Sequence, residues 1–362
     1  MILLLTPFFT VSVIHWSVFR NLNKVFVHHI CMGGRFKFID LFAGIGGIRI
    51  PFDESGGECV FSSEWDEDAQ DTYEANFGHR PAGDITKIPS ERIPSHNILL
   101  AGFPCQPFSI IGNGHGFADT RGTLFFEIER ILRDKHPDAF LLENVKRLVS
   151  HDDHRTFKVI LGKLGELGYF VHWKVLNALD YGLPQKRERV IIVGFKKNYL
   201  FKFPEPSKQR SSLKDVLEDH AKVDKKHFAS EAIIEKRMKK VAGRIIPKPA
   251  IWHENKRGDI GIHEFSCALR AGASYNYLLV DGIRRLTPRE NLSLQGFPKN
   301  FKIVVPDAQV RKQAGNAVPV PMIRAVAKEM MKAMGNIPLS SEVQISSDGV
   351  QTRLRVTATN AE

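Results

Sequence analysis

Short apolar runs, each closed by glycine, proline or a carboxylate, recur along the first two hundred residues. Phe36-Lys37-Phe38-Ile39-Asp40-Leu41-Phe42 alternates as a strand does and runs into Ala43-Gly44-Ile45-Gly46-Gly47, then a helical segment. Pro51 falls early in that segment, which predicts a late or bent helix start. Cys59-Val60-Phe61-Ser62-Ser63 predicts a second strand, ending at Glu64-Trp65. Asn97-Ile98-Leu99-Leu100-Ala101 predicts a buried third that opens into Gly102-Phe103-Pro104-Cys105-Gln106-Pro107-Phe108-Ser109. Residues 123–133 carry helical spacing. Ala139-Phe140-Leu141-Leu142 ends in Glu143-Asn144-Val145, and Gln185-Lys186-Arg187-Glu188-Arg189 leads into Val190-Ile191-Ile192-Val193. Buried strands alternating with helices predict an α/β fold.

In such folds the reactive groups gather where strands end. Strand, glycine turn and helix form the first unit of a nucleotide-binding sheet, in which glycine lets a ligand approach the backbone near a helix N-terminus. Glu64, 20 positions after Gly44, stands where a ribose hydroxyl partner belongs, and Trp65 offers a face for an adenine ring. Asp84, in Gly83-Asp84-Ile85, is an acceptor for an adenine amino group. These residues predict an adenosine-bearing cofactor without saying which one, and an NAD-linked oxidoreductase survives to this point. Pro104 and Pro107 bracket Cys105 in a rigid loop, which suits either a presented thiol or a small buried hydrophobe. Glu143 ends its strand toward the same cleft, where a salt-bridge or capping role is the alternative. Arg187 and Arg189, two apart on a strand, can face one anion together or form a solvated face. The glycine-containing stretch 112–122 has the makings of a mobile lid.

Composition narrows the class. A chain of 362 residues with 43% hydrophobic and 25% charged residues is an ordinary soluble protein, long enough for a large domain and a smaller one. The formal charge of +11 is concentrated: residues 196–257 hold 17 basic and 8 acidic side chains, a block suited to a polyanion. The four cysteines are far apart in the sequence, which points to a reducing compartment and no disulfide framework. His151-Asp152-Asp153-His154 reads as a polar loop capping the next helix, so no metal is expected. Residues 1–19 carry no charge, are broken by Pro7, Thr10 and Ser12, and lack the basic front of a signal peptide. They read as an extension outside the fold, with an upstream start choice before Met32 as one origin and a membrane anchor as the lesser alternative.

Glycine turn, Glu-Trp, Gly-Asp-Ile, Pro-Cys-Gln-Pro, Glu-Asn-Val and Gln-x-Arg-x-Arg follow one another in that order. Arg285-Leu286-Thr287-Pro288-Arg289-Glu290, Gln295-Gly296-Phe297-Pro298 and Gln313-Ala314-Gly315-Asn316-Ala317-Val318-Pro319 continue the series. With these motifs the chain resembles the DNA cytosine-5 methyltransferases from about residue 36 to 334, apart from the basic block. The resemblance implies a Rossmann-like S-adenosylmethionine-dependent methyltransferase sheet with a smaller target-recognition domain. It implies that Cys105 attacks carbon 6 of a flipped cytosine, that Glu143 acts at nitrogen 3, and that Arg187 and Arg189 support the ring oxygen, the glutamate and nearby phosphate. Ser109, Ile110 and Ile111 fall in the loop that closes over the base in that family. Around the cofactor it places Phe42 and Trp65 on the adenine, Glu64 on the ribose and Asp84 on the amino group. Gly44, Gly46, Ile85, Pro104, Leu124, Asn316 and Val318 complete that pocket.

The implied division is an extension at 1–34, a catalytic and cofactor-binding domain at 35–195, target recognition at 196–273, the remaining motifs and a returning helix at 274–335, and a disordered tail at 336–362. The expected partner is double-stranded DNA, with no membrane, for a cytoplasmic monomer linked functionally to a cognate restriction endonuclease without stable binding. An RNA (tRNA) methyltransferase of the same fold and a non-catalytic DNA-binding relative are the alternatives; the second would be expected to lack Cys105 or Glu143.

Overall fold

The computed structural model describes residues 36–104, 124–207 and 211–335, with the backbone of 345–347 and 350–352. The extension 1–34, Cys105, Ser109, Ile110, Ile111 and the glycine-containing stretch 112–122 lie outside the described residues.

In chain order the elements of the first lobe are β1 (Lys37–Leu41), α1 (Arg49–Glu54), β2 (Glu58–Ser63), α2 (Glu67–Phe77), β3 (Ile98–Gly102), α3 (Phe125–Lys135), β4 (Ala139–Val145), α4 (Arg147–Ser150), α5 (Arg155–Glu166), β5 (Phe170–Asn177), β6 (Gln185–Lys186) and β7 (Glu188–Phe195). There follow α6 (Glu231–Lys240), β8 (Ile251–Glu254), β9 (Ile260–His263), β10 (Ser266–Cys267), β11 (Leu278–Val280), α7 (Pro288–Leu294), α8 (Asp307–Asn316), α9 (Val320–Met334), β12 (Ile345–Ser347) and β13 (Val350–Thr352). The main sheet has the order β13-β12-β5-β7-β4-β3-β1-β2. Strands β2, β1, β3 and β4 are parallel, and β7 runs antiparallel between β4 and β5.

The strands are apolar on both faces because both faces are covered. Ile39, Leu99, Phe140 and Leu142 pack with Phe125, Ile128 and Leu132 of α3 and Phe157 and Ile160 of α5. Phe38, Leu100 and Leu141 pack the other way, against Met322, Ile323, Val326 and Met330 of α9. Pro51 sits inside α1, whose helix begins at Arg49, so the proline neither delays nor prevents it. A proline in the first turn removes a donor that has no partner within the helix anyway.

Tyr199, Phe201 and Phe203 pack in the α9 core. The second lobe holds a sheet of order β11-β8-β9, whose β11 ends at Val280. It is joined to the first by the pairing of β10 with β6, Ser266 with Gln185 and Cys267 with Lys186. Within the tail whose composition predicts disorder, β12 and β13 form a hairpin, and β12 pairs with β5 at Ser346 and His172. An open β5 edge carries unpaired backbone groups, and such an edge recruits even a polar segment.

Arg284 and Glu290 are fully buried and joined through both guanidinium nitrogens at 2.8 and 2.7 Å. Glu290 also closes the capping box of α7 with Thr287. Removing one partner leaves an uncompensated buried charge, so Arg284→Met should lower stability by about 3–5 kcal/mol in urea unfolding. A loss under about 1 kcal/mol would show that the pair is dispensable.

Asp40, in the middle of β1, is buried, and its Oδ2 has no hydrogen-bond partner among the described residues. Burial pushes its carboxyl well above the ordinary value, against the pull of Arg49. The folded chain then holds a proton that the unfolded chain releases near pH 4, so stability falls as pH rises from about 4 to the raised value. Asp40→Asn should therefore be the more stable protein at pH 8, by roughly 1–3 kcal/mol, with the difference shrinking toward pH 4. Thermal melts across that range check this, and a pH-independent difference would contradict it.

Candidate active site

A cleft of about 560 Å³ opens at the carboxyl ends of β1, β2, β3 and β4. Strand β1 has β2 on one side and β3 on the other, so the chain departs in opposite directions there, the usual ligand position in open α/β sheets. Because β7 is antiparallel, its first residues lie at the same edge as the ends of the parallel strands: Arg189 pairs with Val145, and Ile191 with Glu143.

One wall is built for a nucleoside. Phe42 and Gly44 take left-handed backbone angles, φ 54° and 53°, turning the chain sharply off β1. A Cβ on Gly44 would meet nothing within 4 Å, so this backbone is open to a ligand. The Glu64 carboxylate accepts from the Gly44 amide at 2.7 Å and from the Trp65 and Asp66 amides at 2.9 Å, which orients the glycine turn. Burial raises its pKa and these amides lower it. Asp84 accepts from the Thr86 amide and hydroxyl through Oδ1, while among the described residues Oδ2 has only Lys87, 3.9 Å away. Trp65 lines the cleft yet is 80% exposed, a large ring with a face to offer.

Phe42, Gly44, Glu64, Trp65, Asp84, Ile85, Pro104, Leu124, Asn316 and Val318 all line this cleft. Gly46 does not. A Cβ there would lie 2.2 Å from the Phe77 ring, and φ is 81°, so packing and backbone both require this glycine. Sequence reasoning missed Lys312, which pairs with Asp66 at 2.5 Å, and Gln313, whose side chain bonds Thr72 and the Asp68 carbonyl. Both sit in the Gln-Ala-Gly-Asn segment or beside it, but only the folded chain shows that they fasten α8 to α2. The lining set of Glu64, Asp66 and Asp84 with aromatic and aliphatic walls suits a ribose diol, an amino group and an adenine ring. It is poorly matched to a dinucleotide's pyrophosphate, so the residues fit S-adenosylmethionine better than NAD.

The other wall carries Glu143, which is buried and ion-paired through Oε1 to Arg189 Nε at 2.8 Å. Burial raises its pKa, and Arg189 and then Arg187 oppose that. Among the described residues the ion pair to Glu143 is made by Arg189, while Arg187, between β6 and β7, lines the same cleft as both and acts on the carboxylate through its charge. Its Nη1 donates to the Leu269 carbonyl at 2.8 Å, and its Nη2 to those of Gly315 and Ala317 at 2.9 and 2.7 Å. Its Nε has no partner among the described residues, and burial pushes its pKa down to about 9. Asn144 Nδ2 holds the Phe103 carbonyl at 2.9 Å. A Cβ on Gly102 would lie 3.7 Å from Glu143 Oε2, so the chain passes Glu143 just before Pro104 and residue 105.

At His151-Asp152-Asp153-His154, Asp152 pairs with Arg155 and His151 Nδ1 lies 2.8 Å from Thr156 Oγ1, both at the start of α5. His154 itself caps nothing with its side chain.

Sheet order, nucleoside wall and buried carboxylate together define a Rossmann-like methyltransferase. A family model for C-5 cytosine-specific DNA methylase matches residues 36–332, and the chain belongs to that family. It is a DNA cytosine-5 methyltransferase, with S-adenosylmethionine as its methyl donor. It is 58% identical over 293 residues to the Type II methyltransferase M.NgoBI of Neisseria gonorrhoeae, covering 81% of this chain and 92% of that one. With the Type II methyltransferase M.HaeII of Haemophilus aegyptius the identity is 57% over 299 residues, covering 83% and 94%. A solved DNMT2 mutant of Spodoptera frugiperda superposes with a TM-score of 0.64 at 21% identity, over 82% of this chain and 99% of that one, a likeness of fold alone.

Proposed function

We propose that this methyltransferase marks one short double-stranded sequence as the modification partner of a restriction endonuclease, with Cys105 as nucleophile and Glu143 as its acid. The Type II names of two relatives that match over most of their length support the first part. The observation that carries the second is the buried Glu143–Arg189 pair beside the strand that leads to Cys105.

The target carbon is stacked inside a duplex, so the cytosine is flipped into the cleft. Cys105 adds its thiolate to carbon 6, making carbon 5 nucleophilic. Glu143, whose pKa burial raises, donates to nitrogen 3 as charge builds on the ring. Arg189 keeps that carboxyl in place, and Arg187 ties the wall behind it to the Leu269, Gly315 and Ala317 carbonyls. S-adenosylmethionine supplies the methyl group from its sulfonium. Loss of the carbon 5 proton to a base then expels the Cys105 thiolate, and nitrogen 3 gives its proton back to Glu143. Phe42, Trp65, Glu64, Asp84, Asn316 and Val318 hold the nucleoside. The enzyme works as a cytoplasmic monomer, linked to its endonuclease by shared sequence and not by a stable complex. Among the described residues no helix is long and apolar enough to cross a membrane.

Bisulfite sequencing of DNA and RNA from cells expressing the chain, beside cells without it, tests the reading. Protected cytosines within one short DNA motif are expected. Protection confined to RNA, or spread over unrelated DNA sequences, would overturn it.

A further inference from the structure

Residues 269–277 run from beside the catalytic cleft onto the second lobe, and several of their polar groups are fastened. The Leu269 carbonyl accepts from Arg187, which lines the cleft with Glu143, and the Leu269 amide donates to Gln185 Oε1 at 3.1 Å. The next backbone lies flat on the end of α8: a Cβ on Gly315 would come within 2.3 Å of the Ala271 amide nitrogen. Arg311 donates to the Ala273 and Ser274 carbonyls at 3.1 and 3.3 Å, and Arg285 donates to Asn276 Oδ1 at 3.2 Å. Both guanidinium groups also lie over the Tyr275 ring, at 4.6 Å for Arg285 and 4.9 Å for Arg311. These two arginines are braces.

Arg270 differs. It is exposed, and its guanidinium makes no hydrogen bond or ion pair among the described residues, although its backbone amide donates a hydrogen bond to the Tyr277 hydroxyl at 3.0 Å. The guanidinium lies over the Tyr277 ring, 4.8 Å from its centre, and that ring is itself buried. A planar fork held against an aromatic face, with all its donors unspent, loses little freedom when it meets a flat acceptor pair. In a DNA major groove that pair is O6 and N7 of guanine, which arginine bonds through both arms.

We infer that Arg270 is a specificity-determining residue that reads the O6 and N7 edge of a guanine next to the target cytosine. The inference rests on the DNA methylation proposed above. Nearness to the target follows from the chain itself, since Arg270 adjoins the residue whose carbonyl Arg187 holds at the catalytic wall.

The test uses the full-length protein, its Arg270→Lys and Arg270→Ala variants, and labelled S-adenosylmethionine. Substrates are duplexes carrying the motif found by bisulfite sequencing and duplexes with each base pair of it replaced in turn. Both variants should lose roughly 10- to 100-fold of the kcat/KM discrimination at one guanine position and keep it elsewhere, with cofactor binding unchanged. Lysine should fail to rescue, because it keeps the charge and lacks the fork. Discrimination retained at every position would overturn the inference. So would a uniform loss across all duplexes that lysine restores, with a salt slope lower by about one, the mark of a phosphate contact. Loss of cofactor binding in both variants would overturn it too, by making Arg270 a structural residue. A wild-type protein that methylates no duplex would instead sink the proposed function.

Discussion

Cys105→Ser abolishes methyl transfer and leaves S-adenosylmethionine affinity within about twofold of wild type. The expectation follows from the chemistry of addition. A thiol has a usable thiolate fraction at neutral pH and is intrinsically nucleophilic, whereas a serine hydroxyl without a strong base beside it is neither. The cofactor wall does not depend on the sulfur, because Glu64, Trp65 and Asp84 are placed by β2 and the segments that follow it, and Val318 by the turn between α8 and α9. Single-turnover assays with labelled cofactor, together with calorimetric titration of the cofactor alone, separate the two effects. Turnover above about a hundredth of wild type would remove the covalent route, because nucleophile loss should cost far more.

Glu143→Gln lowers kcat by about 10²- to 10⁴-fold while DNA binding changes much less. Glutamine keeps the shape and an oxygen for Arg189, but it has no proton to hold for nitrogen 3. The pH profile supplies a second signature. Burial raises the Glu143 pKa, so activity that needs its protonated form is full below that value and declines as pH rises through it. That limb should be missing in the variant. Equal losses in binding and in turnover, or an unchanged alkaline limb, would assign the residue to structure.

The sheet was legible because its strands are short, apolar and closed by turn residues: the runs at Phe38, Leu99, Phe140 and Ile191 all became strands, with ends within a few residues of those read. The placement of Glu64 and Glu143 at strand ends around one cleft was legible for the same reason, since each closes such a run. Arg187 shows where the reasoning stops. The two-residue period applies within a strand, and a break between β6 and β7 sends Arg187 to backbone carbonyls from distant parts of the chain. Gly46 is a second case, because a glycine that a ring crowds and a glycine that a ligand crowds look alike in sequence. The second lobe was visible as charge but not as structure. Its small sheet has short strands, and its braces Arg285 and Arg311 act on Asn276 and on the Ala273 and Ser274 carbonyls, contacts that no local pattern encodes.

The return of α9 to the first lobe shapes how the protein comes into being. Met322, Val326 and Met330 cover the face of the sheet made by Phe38, Leu100 and Leu141, from the opposite end of the chain. A ribosome delivers about 5–20 residues per second, so that face stays bare for roughly 15–60 s after β1 has emerged. Core contacts between such remote segments also form slowly, because a long loop must close first. A nascent chain stopped before residue 320 therefore presents an oily sheet with no lid, a natural client for a holding chaperone. Host cells that translate quickly or supply few chaperones should yield inclusion bodies where slower, cooler expression yields enzyme.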